Sequence, residues 1–505
     1  MRKVLWCLAL AALTLAASPS TDQEPAPSPL PPLTYSCEVP YDVTSIAGKF
    51  SRQREFDIYS WNIFIALNWP ADTSTKGAPP CNLQNGVARD CDKPLPRGDY
   101  GPTVWETFRP DWSVFRGDAK GAVAPAGWNC PLDPLPGCDS LEERDAVEAR
   151  LPVLRMIMKD ANTAQEFLQA GTFAPLIDQN GSFVRYELRM NRDEFEFIDR
   201  NQFWNSDNLK ADVNFQPAGS NDDKTMGPIE IKAAWKILPA PSERYHSRAV
   251  EIAWPDPAKK GSFQCKQYTM GLVGLHIAHK TKTAPQWIWS TFEQVDNYSG
   301  DHPSFANPNC PASQCPPNLQ PTPPGGGKWS GDPRIKQTPP TQVVVVNSSP
   351  AEVRDEALNA EVREKLASLG SVWQYYELVS TQWPAVPYIG EGDQRVPAPV
   401  YKSSPIGKPS GALQTPHKLG NTTMETYLMG PGGKPEDQSS CMYCHSIAMD
   451  SDFDFKTDFS YLLQEAYPAA AGNQLAEKRR AQLSKAFHLN TAAGGQKTKA
   501  VPPKK

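Results

Sequence analysis

The chain has 505 residues, 39% hydrophobic and 21% charged, with a formal net charge of −5. That length supports a large core and more than one folding unit, and the composition excludes a disordered chain and a basic nucleic-acid binder. Its 51 prolines, roughly one residue in ten against an average near one in twenty, imply long loops and stiff connections.

In chain order, "MRK" followed by "VLWCLALAALTLAA" and the small residues Ala16, Ala17 and Ser18 reads as a signal peptide over 1–18, cleaved near residue 18. The apolar run is too short to span a bilayer as a mature helix, and no later segment is apolar enough to do so. The expected compartment is therefore periplasmic or secreted. Residues 19–35 form a Pro-rich leader. "REFDIYSWNIFIALNWP" places Phe56, Tyr59, Ile63, Phe64 and Leu67 at helical spacing and stops before Pro70. "VWETFRPDWSVF" is a short aromatic helix broken at Pro110, and 139–170 reads as helical from Ser140.

From about residue 172 the period changes to two. Asn180-Gly181 marks a hairpin before "SFVRYELRM", and Asn191 with Glu194 makes a capping-box-like helix start. "IEIKAAWKIL" alternates, with Ile229, Ile231, Ala233, Trp235 and Ile237 on one face and Glu230, Lys232 and Lys236 on the other, the pattern of a half-buried strand. "TMGLVGLHIAHKT" and "QWIWSTFEQV" are two further strands. Residues 316–341 are a Pro/Gly-rich linker between a disulfide-containing α+β region, 36–315, and a C-terminal region, 342–490. In the latter, "VVVV" reads as a strand and Ser349-Pro350-Ala351-Glu352 as a capping box opening a helix that Gly370 stops. "VWQYYELVSTQW" is strand-like, 421–429 and 473–488 are helical, and 491–505 is a disordered basic tail. The fold class expected is α+β, an antiparallel sheet with surrounding helices and a mainly helical C-terminal region.

Ten of the 11 cysteines survive removal of Cys7. Cys81–Cys91, Cys130–Cys138 and Cys310–Cys315 suggest themselves as local disulfides, leaving Cys37–Cys265 as the long-range bridge, although spacing proves no connectivity. The remaining pair lies in "SSCMYCHSIA", where Cys441, Cys444 and His445 read Cys-x-x-Cys-His. With 11 cysteines and 7 histidines in 505 residues, chance supplies this pattern about 0.003 times. Two thiols at this spacing can add to the two vinyl groups of haem, and the histidine that follows is placed to ligate the iron. Structural zinc would call for a second Cys/His pair, and a thioredoxin-like dithiol for a preceding strand. A plain Cys441–Cys444 disulfide is the other alternative. "DSDFDFKTD" spaces Asp450, Asp452 and Asp454 as if for calcium, but Phe455 and Tyr461 stand where the loop needs glycine and an acid, so it reads as a loop.

On Cys441, Cys444 and His445 the chain resembles the cytochrome c class over about its last 85 residues. "GLHIAHKT", "PQWIWSTFE" and "NTTMETY" are similar to stretches of large exported bacterial proteins of the cytochrome c family, to which no activity is attached. The resemblance implies one covalent haem c (heme c) per chain, iron ligated by His445, electron transfer, and a redox partner protein. The chain departs from the small-cytochrome pattern, in which a methionine some tens of residues downstream is the second ligand. Met449 follows too closely, so the distal candidates are Met424, Met429, His276 or His279, His417 and His488, or no protein ligand. His276 and His279 point to opposite faces of one strand, so at most one of them can serve. A haem-dependent oxidoreductase with a large substrate-binding N-terminal region, and a cofactor-free secreted disulfide-linked protein, are the alternatives. The sequence leaves oligomeric state open.

Overall fold

The computed structural model describes residues 32–43, 53–71, 95, 102–118, 120–130, 155–157, 167–169, 174–219, 225–256, 258–259, 263–323, 325, 329–344, 354–390, 394–399, 414–416, 418–429, 439–452 and 454–469. The signal peptide, most of the leader, the capping box at 349–352, the helix at 473–488 and the basic tail lie outside these residues, as do Cys81, Cys91, Cys138, His417 and His488.

The described residues form an α+β fold around one curled sheet. Its strands are β1 (Arg109–Pro110), β2 (Arg155–Ile157), β3 (Arg185–Met190), β4 (Ile229–Ile237), β5 (Ser247–Pro255), β6 (Phe263–His279), β7 (Ile288–Gln294), β8 (Tyr376–Pro384) and β9 (Gln414–Thr415). The main order is β1-β3-β4-β6-β7-β8-β9, with β5 pairing the long β6 and β2 pairing β5. Every pairing is antiparallel except β2 with β5. Strands on both sides of 316–341 join this sheet, because β7 pairs with β8.

One face is apolar. Helix α1 (Gln53–Leu67) and helix α3 (Glu356–Ser368) pack on it through Trp61, Phe64, Leu358, Val362 and Leu366, against Ile229, Ile231, Leu275, Ile277 and Phe292. Phe64 stacks on Phe292 at 4.2 Å, and Trp61 meets Phe292 edge-on at 5.1 Å. Aromatic pairs of this kind add to the burial of their area. Helix α1 ends where Asn68 Nδ2 donates to the Phe64 carbonyl at 2.8 Å, satisfying one of the terminal acceptors before Pro70. Helix α3 opens at Asp355, whose side chain accepts from Leu358 N, and ends before Gly370, at φ 67.

The other face is covered as well, by helix α2 (Arg192–Arg200) and the segments 418–429 and 439–469. That corrects the reading of "IEIKAAWKIL" as half solvated: Glu230 is buried and Lys232 is half-buried. Several other expectations differ. Residues 155–157, within the expected 139–170 helix, are strand β2. "VWETFRPDWSVF" breaks into a 3-10 turn at Trp105–Thr107, strand β1, and one helical turn at Asp111–Val114. The "VVVV" stretch makes irregular contacts where described, Val343 N donating to the Phe305 carbonyl and Val344 N to Asn318 Oδ1. The 421–429 segment is a turn followed by a 3-10 helix at Thr426–Met429. Among the described residues after 342, α-helix is limited to α3 and α4 (Cys441–His445). The segment instead follows the sheet surface, satisfying its backbone with Asn, Thr, Ser and Gln side chains.

Cys310–Cys315 is a disulfide with Cα atoms 5.9 Å apart, as its spacing suggested. Cys37, Cys130 and Cys265 are also disulfide-bonded. Among the described residues no helix is long and apolar enough to cross a membrane.

Candidate functional site

Helix α4 is a single turn set on the sheet by polar contacts. Ser440 caps it, its Oγ accepting from Tyr443 N at 3.2 Å. Gln382 at the end of β8 accepts from Met442 N at 2.7 Å and from Ser440 Oγ at 3.2 Å, and donates to the Pro416 carbonyl at 2.8 Å. The Met442 side chain is fully buried among Ala278, Trp289 and Leu463. Cys441, Cys444 and His445 are left half-buried. Spacings of three and four put them on one side of the turn.

Neither thiol is in a disulfide, so the Cys441–Cys444 bridge is not formed. Burial pushes Cys444 up to about 11, assisted by the nearby Glu425 carboxylate, and moves Cys441 the same way. A reactive dithiol needs a depressed thiol pKa, so these protonated thiols lack the electrostatics of one. Among the described residues no group of three or more His, Cys, Asp or Glu is arranged to hold a metal ion.

His445 is held in one tautomer. Its Nδ1 donates to the Phe459 carbonyl at 2.7 Å, which leaves Nε2 as the lone-pair nitrogen. Burial pulls its pKa down to about 4, so the ring is neutral at pH 7. The ring lies 4.2 Å from Trp289 and 5.0 Å from Tyr461, whose hydroxyl donates to the Cys444 carbonyl at 2.7 Å. The accepting carbonyl comes from an unusual turn: Asp458 and Phe459 are both left-handed, at φ 52 and 71. Such conformations in side-chain-bearing residues cost about 1–3 kcal/mol each and persist only where the surroundings impose them. Here Asp458 accepts from Phe215 N at 2.8 Å and is paired with the Lys280 ammonium, while Thr457 Oγ1 donates to the Ser460 carbonyl at 2.6 Å.

The sheet supplies a charged row beside this turn. Lys232, His276 and Thr291 are cross-strand neighbours on β4, β6 and β7. His276 Nε2 lies 3.5 Å from Glu425 Oε2. Burial alone would raise Glu425, but His276 and Lys232 outweigh it and hold the carboxyl below its ordinary range. Lys232, His276 and Glu425 all act on His445, and Lys232 and Glu425 on Cys441. The segment carrying Glu425 is docked by Asn421, whose Nδ2 donates to Thr291 Oγ1 and the Phe292 carbonyl, both at 2.9 Å. Gly274 permits this approach: a Cβ there would sit 2.2 Å from Thr423 Oγ1.

The three stretches quoted with the resemblance thus converge on the Cys-x-x-Cys-His turn, through His276, Trp289 and Glu425. Of the distal candidates on described residues, His276 is the one that shares the charged cluster with His445. His279 is on the apolar face, where Tyr59 Oη and the Met226 carbonyl engage its two ring nitrogens. Met424 is packed among Leu176, Val184, Tyr186 and Ala234. Met429 is buried against Gly420, and Met449 bridges to Lys456. Asp450 accepts from Asp454 N and Phe455 N, the backbone bonds of a loop. Gln382, Phe459 and Tyr461 carry no motif; a polar residue near the end of a fully buried strand was the one available signal, and it belongs to Gln382. Comparison of the chain with protein-family models, curated proteins and solved structures finds no match.

Proposed function

We propose that the chain is an exported monohaem c-type cytochrome, with Cys441 and Cys444 as the attachment thiols and His445 as the proximal ligand. The observation that carries this reading is the His445 Nδ1–H bond to the Phe459 carbonyl, beside two thiols on one helical turn that form no disulfide. It supplies a neutral imidazole with its tautomer and orientation fixed, as metal-ligating histidines require. A haem held there supplies a one-electron Fe(III)/Fe(II) couple. The chain's own part is to keep the thiols on one side of α4, to clamp the His445 ring between Trp289 and Tyr461, and to set the local field through Lys232, His276 and Glu425. A periplasmic location and a redox partner protein belong to the same reading.

The test is expression in a host with c-type maturation. The expected product is red, heavier than the processed chain by one haem, and retains haem on a denaturing gel. Colour that leaves on acid–acetone extraction overturns the reading.

One observation favours a second reading, a haem-dependent oxidoreductase. The His276–Glu425 pair is a proton donor and acceptor beside the motif, 3.5 Å apart. Were His276 to hold the iron together with His445, the ferric protein would be low-spin and the ferrous protein indifferent to carbon monoxide, as a carrier requires. A high-spin ferric spectrum with rapid carbon monoxide binding leaves His276 and Glu425 for proton transfer and selects the oxidoreductase.

A further inference from the structure

A capping box would return the Glu194 carboxyl to the backbone N–H of Asn191. Half of that box is present, since Asn191 Oδ1 accepts from Glu194 N at 3.2 Å. The other half is pre-empted. Asn191 N donates to the Ile229 carbonyl at 3.0 Å, and Ile229 N returns a bond to Asn191 Oδ1 at 3.1 Å. This clasp ties the start of α2 to the start of β4 and turns Glu194 inward. Glu194 is 0% exposed and neither of its oxygens meets a donor among the described residues. It faces Glu230, 7% exposed, whose Oε1 is likewise unpartnered. Two carboxyl groups so placed satisfy each other only when a proton lies between them.

Among the described residues the pair meets no counterion. Asp458 faces it from the left-handed turn, but the Lys280 ammonium is bound to Asp458. Asp193, next along α2, is occupied by Met226 N at 2.7 Å and Gly227 N at 3.0 Å. The strand neighbours of Glu230 are Met190 and Ala278, which carry no charge. The Ser460 hydroxyl faces Glu230, and the residue before it, Phe459, gives its carbonyl to His445.

We propose that Glu194 and Glu230 form a proton-binding site that takes up one proton from solvent when the centre at His445 gains one electron. The proposal rests on the c-type reading above. The electron comes from a one-electron donor; the proton forms a carboxyl O–H bond, and no group leaves. Reduction removes one positive charge on the far side of the Ser460–Phe459 turn, so the proton affinity of the pair rises. By reciprocity the midpoint potential falls as pH rises. Burial, with the partner carboxyl and Asp458 acting on it, places Glu230 at about 7 and raises Glu194, so the slope falls in the neutral range.

The experiment is spectroelectrochemical titration of the haem-loaded protein between about pH 5 and 9, on wild type, Glu194→Gln, Glu230→Gln and, as a control, Glu196→Gln on the exposed side of α2. The expected result is a midpoint that falls through neutral pH in wild type and in the control, and is flattened in both Gln variants. A flat wild-type profile on a covalently loaded protein overturns the proposal and leaves the c-type reading standing. Infrared spectra of the wild type decide the shared proton without haem. A protonated carboxylic C=O band at neutral pH that is lost in Glu194→Gln and Glu230→Gln supports the site, and the absence of such a band overturns it. Failure to bind haem defeats the c-type reading and with it the coupling to His445, while the infrared band still decides the shared proton.

Discussion

His276 and His279 stand three residues apart on β6 and live in different chemical worlds. His279 is 1% exposed, both nitrogens are engaged, and burial pulls its pKa down to about 4. It behaves as a polar piece of the core. His276 shares its row with Lys232 and faces Glu425 beside the two thiols. The same contrast holds for the whole sheet. One face is locked by aromatics from α1 and aliphatic side chains from α3, and the other gathers Glu230, Lys232, His276 and Glu293 under a covering made largely of loop. The apolar face supplies the free energy that lets the polar face carry buried charge and left-handed backbone.

The sharpest way to break this division is on the polar face. On the proposed c-type reading, His445→Ala should leave the far-ultraviolet circular dichroism unchanged and abolish iron ligation by nitrogen, seen as a changed spin state and loss of stable haem. An unaltered reduced spectrum would show that the ligand lies elsewhere. On the apolar face the converse is expected. Trp61 is 0% exposed and donates to Asn359 Oδ1 at 3.1 Å. Trp61→Ala should cost about 3–5 kcal/mol in urea unfolding and keep the haem spectrum in the folded fraction.

A third substitution probes buried charge on the apolar face. Burial raises Asp57 to about 7, while its Oδ1 accepts from Gln53 Nε2 and Thr381 N. A carboxyl raised from an ordinary value of 3.8 contributes stability that is present below about pH 4 and lost as pH rises through 7. Asp57→Asn keeps an acceptor for both donors. It should match wild type at pH 4 and exceed it at pH 8 by about 3 kcal/mol, read from urea midpoints; equal stability at both pH values would refute the shift. The smallest effect belongs to Gly274→Ala, which should cost about 1–3 kcal/mol by pushing Thr423 off β6. It should also loosen Glu425 against His276, detectable as a shift in the Soret band; an unperturbed Tm would show that the segment has room to give.

Much of the sheet was legible, because β4, β6 and β7 announce themselves through alternation and β-branched or aromatic content. What alternation cannot give is whether the polar half of a strand meets water or a later part of the chain. Glu230 and Lys232 read as solvated because the residues covering them arrive some two hundred positions on. Cys441, Cys444 and His445 were legible as candidates, because the pattern that nominates them depends on spacing alone. Gln382, Phe459 and Tyr461 were not, since a backbone carbonyl carries no sequence signature and a buried polar contact is written in the tertiary fold.

The left-handed turn at Asp458–Phe459 has a consequence for when the site can exist. Its clamp, Lys280 with Asp458, joins residues 178 apart. Closing so long a loop is entropically slow relative to forming a single helical turn. Helix α4 therefore can present both thiols on a newly synthesised chain long before the carbonyl that orients His445 is in position. Once β6 is paired, Met442 is buried and the thiols are half covered. Any covalent attachment at Cys441 and Cys444 belongs to the interval before the sheet closes, and adding haem to an already folded chain should give poor loading.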